Sequence, residues 1–405
     1  MTVPARTQCC IAGGGPAGIM LGFLLARAGI DVIVLEKHAD FFRDFRGDTI
    51  HPSTIQIMDE LGLLDDFLKI PHTEARELSG LIGGQQIKIA DFSRVPGRCK
   101  FIALMPQWDF LNFIAEHARA YPSFHLNMQA EATSLVLDGD RVTGVRATIA
   151  GVEREILADL TVAADGRRST LRADAELKVL VTGAPMDVLW MRVSRMASDP
   201  DQTFGNVAAG GIFVMLNRNE YYQCAFIIPK GAFGEMKARG IEYLRSEIAR
   251  IVPMLAGRIA ELKSWDDVRL LTVEVDHLKT WFRPGLLCIG DAAHAMSPIG
   301  GVGVNLAVQD AVAAANILAG PLSSGTLTAS DLQAVQARRE PPALRTQGLQ
   351  VFLQNRVITP VLRTTKPFKA PLLLRMLAAV PLFRRIPARV IGVGFRPEHV
   401  HTPQV

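Results

Sequence analysis

"CCIAGGGPAGIMLGFLLARAGIDVIVLEKH", Cys9 to His38, decides the fold class. Cys9–Ala12 is a short apolar run of the kind a buried parallel strand makes. Pro16–Ala28 carries apolar pairs at helical spacing, Ile19 with Phe23 and Met20 with Leu24, and Gly29 ends it. Asp31–Leu35 is a second apolar strand. Gly13, Gly15 and Gly18 form G-x-G-x-x-G between them. The first allows a tight turn, the second lets backbone approach a pyrophosphate, and the third lets helix lie close on strand. Phosphates would then fall at the helix N-terminus, beside Pro16 and Ala17, where free N–H groups and the dipole favour anions. Glu36 follows the second strand at about the distance where an acid bonds a ribose hydroxyl, with Lys37 next to it. The unit predicts an α/β chain with a Rossmann-like dinucleotide domain. It does not say which dinucleotide.

A second glycine loop lies far along the chain: "GDAAHAMSPIGGVGVNLAVQDA", Gly290 to Ala311. It follows the apolar run Leu286–Ile289 and opens into Ala-rich sequence. A third stretch, "AADGRRSTLR" from Ala163 to Arg172, closes the apolar run Leu160–Ala164.

The 405 residues are 49% hydrophobic and 21% charged, an ordinary globular composition long enough for more than one domain. A net charge of +4 without a mid-chain basic run gives no nucleic-acid stripe. Five scattered cysteines, none in C-x-x-C, read as small hydrophobes in a reducing compartment. Strand-like sequence starts almost at once, with no signal peptide ahead of it, and no run of about 18 uninterrupted apolar residues suggests a transmembrane segment. The expectation is a cytoplasmic protein. The histidines lack partners at ligand spacing, so no metal site is expected. The first loop lacks the Gly-Lys-Ser/Thr of a nucleotide P-loop, and no Gly-x-Ser-x-Gly elbow is present.

Together these motifs resemble the FAD-dependent aromatic hydroxylases of the para-hydroxybenzoate hydroxylase type, the class A flavoprotein monooxygenases. "AADGRRSTLR" looks like the family's Asp-Gly fingerprint and the Gly290 stretch like its Gly-Asp fingerprint. "FRGDTIHPSTIQIMDELGL", Phe45 to Leu63, looks like the segment whose Arg, here Arg46, reaches the flavin. "LMPQWDFLNFIAEHA", Leu104 to Ala118, looks like the helix whose early Gln, here Gln107, contacts it. The resemblance implies FAD, with Asp165 serving it and Asp291 bonding a ribityl or ribose hydroxyl. Pro298, Gly301, Gly303, Val304 and Asn305 would line the flavin ring. Gly300, Gly301 and Gly303 have no Cβ to clash with it, and the Val304 and Asn305 N–H groups would stabilise negative charge on reduced flavin. Arg167, Arg168 and Arg172 read equally as cofactor contacts or as loop ion pairs.

The family interleaves its domains. An FAD-binding domain is expected over 1–75, 100–180 and 276–320, a β-sheet substrate domain over 76–99 and 181–275, and a helical region over 321–405. "DVLWMRVSR", "GGIFVMLNRN" and "YYQCAFIIPKG" fit the sheet, and "GIEYLRSEIARIVPML" a helix beside it. The apolar, basic end, "TTKPFKAPLLLRMLAAVPLFRRIPARVIGVGFRPEHV", reads as short helices broken at Pro367, Pro371, Pro381 and Pro387. They would pack on the body or on a second subunit of a homodimer; the alternative is an amphipathic surface for anionic lipid.

The implied reaction uses NADH or NADPH to reduce FAD. O2 then forms a flavin C4a-hydroperoxide, which hydroxylates a small electron-rich aromatic substrate. The candidate catalytic residues are Arg46, His51, Tyr222 and Pro298, with Tyr221 and His294 as further acid–base candidates. Alternative readings are a prenyl-chain reductase of the same fold, a flavin halogenase, whose Trp-x-Trp-x-x-Pro segment is not found here, and an idle FAD-binding protein.

Overall fold

The computed structural model describes residues 4–42, 49–200 and 203–405. The opening strand runs from Arg6 to Ala12, three residues earlier than its apolar run, because Arg6 and Thr7 pair in parallel with Leu157 and Ala158. Its start is set by the partner strand. The helix is Pro16–Arg27 and the second strand Val32–Glu36, in parallel register from Cys9 opposite Val32 to Ala12 opposite Leu35.

These elements centre a sheet in the order Phe282–Arg283, Leu286–Cys288, Val152–Ala163, Arg6–Ala12, Val32–Glu36, Phe124–Met128. All neighbours are parallel except the first pair. The expected strand at Leu160–Ala164 is the end of Val152–Ala163, whose first half turns outward to pair antiparallel with Arg141–Ile149. The strand ends place both glycine loops and the Asp165 turn along one edge, where open α/β sheets bind ligands.

Helix Pro16–Arg27 packs against the long helix Gly303–Ser324 and against Gln107–Ala118. A Cβ on Gly18 would lie 1.9 Å from the Gly13 carbonyl oxygen, and one on Gly22 2.8 Å from Val34 Cγ2. Glycine is what lets helix and strand approach this closely. The segment Ile299–Ser324 is long and apolar enough to cross a bilayer, yet most of it is buried in this core.

A second sheet has the order Arg269–Leu271, Met186–Ser194, Tyr221–Pro229, Gly211–Asn217, Phe204–Ala208, Glu77–Ile82, Gln85–Asp91. It joins two segments far apart in sequence; Phe204–Ala208 and Glu77–Ile82 pair in parallel. Period-two alternation divides its faces. Leu189, Met191, Phe213, Met215, Tyr222 and Cys224 pack with Leu244, Ile248 and Ile251 of helix Ile241–Ile251. Val188, Trp190, Ile212, Val214, Ala225 and Ile227 face the other way.

Helix Ala329–Leu353 contains Pro341 and Pro342 and runs on through a wide turn, Gln354–Ile358. Short helices Leu372–Ala379 and Arg385–Gly392 follow and pack on the strand Gln85–Asp91. Pro387 does not break the second of these. It sits in the first turn, where the missing N–H is not needed.

Gly18→Ala should lower the unfolding free energy by about 2 kcal/mol or more, from overpacking against backbone. Gly15→Ala, whose Cβ would meet nothing within 4 Å, should keep the wild-type urea midpoint.

Candidate functional site

Both glycine loops open onto a single cavity of about 700 Å³. One end is lined by Gly13, Gly15, Pro16, Ala17, Glu36 and Lys37. No side chain caps the helix at Gly15, so its first N–H groups are left for an anion. The Glu36 carboxylate accepts from the backbone N–H of Gly14 (3.0 Å) and of His38 (2.9 Å), which fixes it at the strand end. Gly18 packs beneath this wall and does not line it.

Asp165 lines the middle of the cavity. Its Oδ2 accepts from Thr170 N–H at 2.9 Å, while Oδ1 is buried with no hydrogen-bond partner among the described residues. Burial raises its pKa above the usual carboxylate value, against the lowering effect of Ser169 and nearby backbone N–H groups. Asp291 lies in the same wall, 3.2 Å from Arg167 Nη2 in a partly exposed ion pair. Arg168 and Gln107 also line the cavity. Arg172 does not: it is buried, bonded to Asp276 and to the Ala292 carbonyl (3.2 Å), and so braces the second loop.

Pro298, Gly300, Gly301, Gly303 and Val304 form the next part of the wall. Gly301 has φ 65°, and a Cβ there would stand 2.4 Å from Thr49 Oγ1; a Cβ on Gly303 would meet nothing within 4 Å. The Asn305 side chain is turned away as a clamp. Its Oδ1 accepts from His51 N–H (2.8 Å) and Thr54 Oγ1 (2.7 Å), and its amide donates to the Thr49 carbonyl (3.2 Å). Only its main chain remains for a cofactor.

Beneath the loop lies fully buried Asp310. Oδ2 accepts from Gly290 N–H (3.0 Å) and His294 Nε2 (2.5 Å), and Oδ1 from Arg339 Nε (2.9 Å). Arg339 also donates to Glu398 at 3.1 Å. Burial disfavours both charges of the His294–Asp310 pair, but their mutual attraction prevails: the imidazole pKa moves up and the carboxyl pKa down. His294 is therefore a structural partner. Asp310, Arg339 and Glu398 were not singled out in the sequence, although one acid inside the apolar "VQDAVAAA" signals a buried partner.

Two expected catalytic residues are not brought to the cavity. His51 is buried outside its wall, and Nδ1–H donates to the Ile391 carbonyl at 2.7 Å. Burial pushes its pKa down to about 4. Tyr222 faces the far side of its sheet, where its hydroxyl donates to the Pro200 carbonyl at 2.7 Å. Alternation puts Tyr221 on the other face, with Arg192 5.0 Å from its ring centroid. Arg46 lies outside the described residues.

An uncapped helix N-terminus, a bare Gly15, an acid at the second strand end and an orphaned Asp165 oxygen suit a dinucleotide. The second loop extends that cradle to a flat ring. Comparison with known proteins agrees: the FAD binding domain family matches residues 6–346.

The chain belongs to this family, and it is an FAD-dependent aromatic monooxygenase. It is 31% identical over 390 residues to 6-methylpretetramide 4-monooxygenase of Streptomyces rimosus, covering 95% of this chain and 92% of that one. With rifampicin monooxygenase of Streptomyces venezuelae it shares 27% identity over 308 residues, covering 74% of this chain but only 61% of the longer relative. The crystal structure of PqsL, a probable FAD-dependent monooxygenase from Pseudomonas aeruginosa, has the same fold: TM-score 0.75 at 22% identity, covering 88% of this chain and 97% of PqsL.

Asp291→Ala should weaken FAD binding by roughly 10- to 100-fold, the scale of one hydrogen bond to a charged group. Flavin absorbance of the purified variant and an FAD titration read this directly, and full occupancy with unchanged affinity would remove Asp291 from the cofactor contacts.

His51 gives a pH prediction. Its folded pKa of about 4 lies below the unfolded value of 6.5, so between them the unfolded chain binds the extra proton. Stability is lost as pH falls through that window. In His51→Gln, about 2 kcal/mol of the drop between about pH 7 and about pH 5 should disappear, measured by urea unfolding.

Proposed function

We propose that the enzyme hydroxylates an aromatic molecule of largely apolar surface, seated between the second glycine loop and the apolar face of the second sheet. One observation carries this reading: Pro298–Gly301 with Gly303, and Trp190, Ile212, Val214, Leu216, Ala225 and Ile227, line the same cavity. A relative that acts on 6-methylpretetramide supports it.

The residues present fit FAD. Glu36 would hold its adenosine ribose, the Gly13–Ala17 turn its pyrophosphate, and Asp291 and Gln107 its ribityl portion, with the ring against Pro298–Gly303. Bound FAD supplies the redox chemistry, accepting a hydride from NADH or NADPH and activating O2. The chain supplies the environment. Helix Gly303–Ser324 begins without a side-chain cap, so its N–H groups favour negative charge beside the loop. The sheet wall excludes water, which limits wasteful release of hydrogen peroxide. It also aligns a flat ring by contact with Trp190 and the branched side chains around it. Five free cysteines fit a reducing compartment, and we place the enzyme in the cytoplasm.

Val214→Trp should fill the substrate half of the cavity. FAD content should stay at the wild-type level while kcat/KM for an aromatic substrate falls more than tenfold. The substrate is found by following flavin absorbance anaerobically as NADH or NADPH is added, with and without a panel of phenols and aromatic acids. Faster bleaching with one ligand supports the reading. FAD-loaded enzyme that neither dinucleotide reduces, whatever the ligand, would overturn it.

A further inference from the structure

Between Glu340 and Glu398 the chain carries ten Arg and Lys residues and no Asp or Glu. The two short helices of this region have distinct faces. Ala370, Leu374 and Ala388 turn inward, packing with Ile82 and Ile87 or with Ala90 and Phe92. A Cβ on Gly392 would lie only 3.1 Å from the Phe92 ring, so the second helix is seated closely. Large apolar side chains turn outward: Leu372 is 72% exposed, Ile386 65% and Leu382 58%, with Met376 and Phe383 also exposed. Lys366, Lys369, Arg375, Arg385 and Arg389 are exposed among them. Asp91, on the strand these helices cover, is a carboxylate close by, and Arg384 helps to lower its pKa.

Exposed leucine and isoleucine interleaved with cations fit a surface that is apolar within and anionic at its boundary. We propose that this face docks the enzyme on an anionic lipid surface. Leu372, Leu382 and Ile386 would enter the headgroup boundary, and Arg375, Arg385 and Arg389 would sit beside lipid phosphates. A second copy of the chain fits less well, because a two-fold contact of this face with itself brings like charges together. None of these outward residues lines the cavity, and the inference does not depend on the substrate reading.

The test is sedimentation of the full-length, FAD-loaded protein with vesicles of phosphatidylcholine alone and of phosphatidylcholine mixed with phosphatidylglycerol. The protein should pellet with the mixed vesicles only, and added salt should release it. Arg375→Ala/Arg385→Ala/Arg389→Ala should weaken this association on the order of a hundredfold, at roughly fivefold per cation. Leu382→Ser/Ile386→Ser should also release the protein. Both variants should keep the wild-type flavin spectrum and the wild-type rate in solution. No association with the mixed vesicles, or equal association by the variants, overturns the proposal. So does a lipid-independent dimer that Leu382→Ser/Ile386→Ser dissociates, which would assign this face to a second copy.

Discussion

The site depends on one buried carboxylate. Asp310 collects an N–H from Gly290, an imidazole N–H from His294 and a guanidinium N–H from Arg339. A loop rich in glycine has little side-chain packing to hold its shape, so its geometry must come from hydrogen bonds. Asp310 supplies them at the point where the strand Leu286–Cys288 gives way to the Asp291 turn. Asn305 does the same at the other end of the loop, through His51 N–H and the Thr49 carbonyl. Between these clamps Gly300, Gly301 and Gly303 bring bare backbone to the cavity. Taking Asp310 and Arg339 out of water is costly. Both Asp310 oxygens accept hydrogen bonds and Arg339 donates to Asp310 and Glu398, which is what makes the arrangement tolerable.

The polar work and the apolar work are divided between two sheets. The parallel sheet brings the ends of its strands, hence Glu36, Asp165 and Asp291, to one edge. The mixed sheet offers an apolar wall opposite. Its alternation has a consequence for chemistry: Val188, Trp190, Ile212, Val214, Ala225 and Ile227 line the cavity, and Leu189, Met191, Phe213, Met215, Phe226 and Ile228 after them pack on the side of helix Ile241–Ile251. Tyr222 falls in the second set and Ala225 and Ile227 in the first. That wall is therefore apolar, with Trp190 its largest side chain.

Much of the cofactor half was legible in the chain. A G-x-G-x-x-G between two apolar runs with an acid at the proper distance is a local pattern, and local patterns survive folding because each part contacts its near neighbours. The positions of Gly13, Gly15, Glu36, Asp165, Asp291 and Pro298 on one cavity follow from such patterns. His51 and Tyr222 were misplaced for another reason. His51 lies in a segment next to the flavin loop, but its ring bonds to Ile391, more than three hundred residues away. Nothing local announces that partner. For Tyr221 and Tyr222 the alternation itself was evident, but which member is buried depends on which face the helix Ile241–Ile251 covers, and neither lines the cavity.

By itself, then, the sequence determined the fold class, the glycine turns and the acids Glu36, Asp165 and Asp291 beside them, since these rest on glycine conformation and on spacing at the ends of apolar strands. Only the tertiary structure decided which residues share the cavity, that Arg172 and Asp310 brace the second loop, and that Glu77–Ile82 enters the second sheet beside Phe204–Ala208, in parallel. Those outcomes come from contacts between segments far apart in the chain, where burial and charge pairing, not spacing, select the partner.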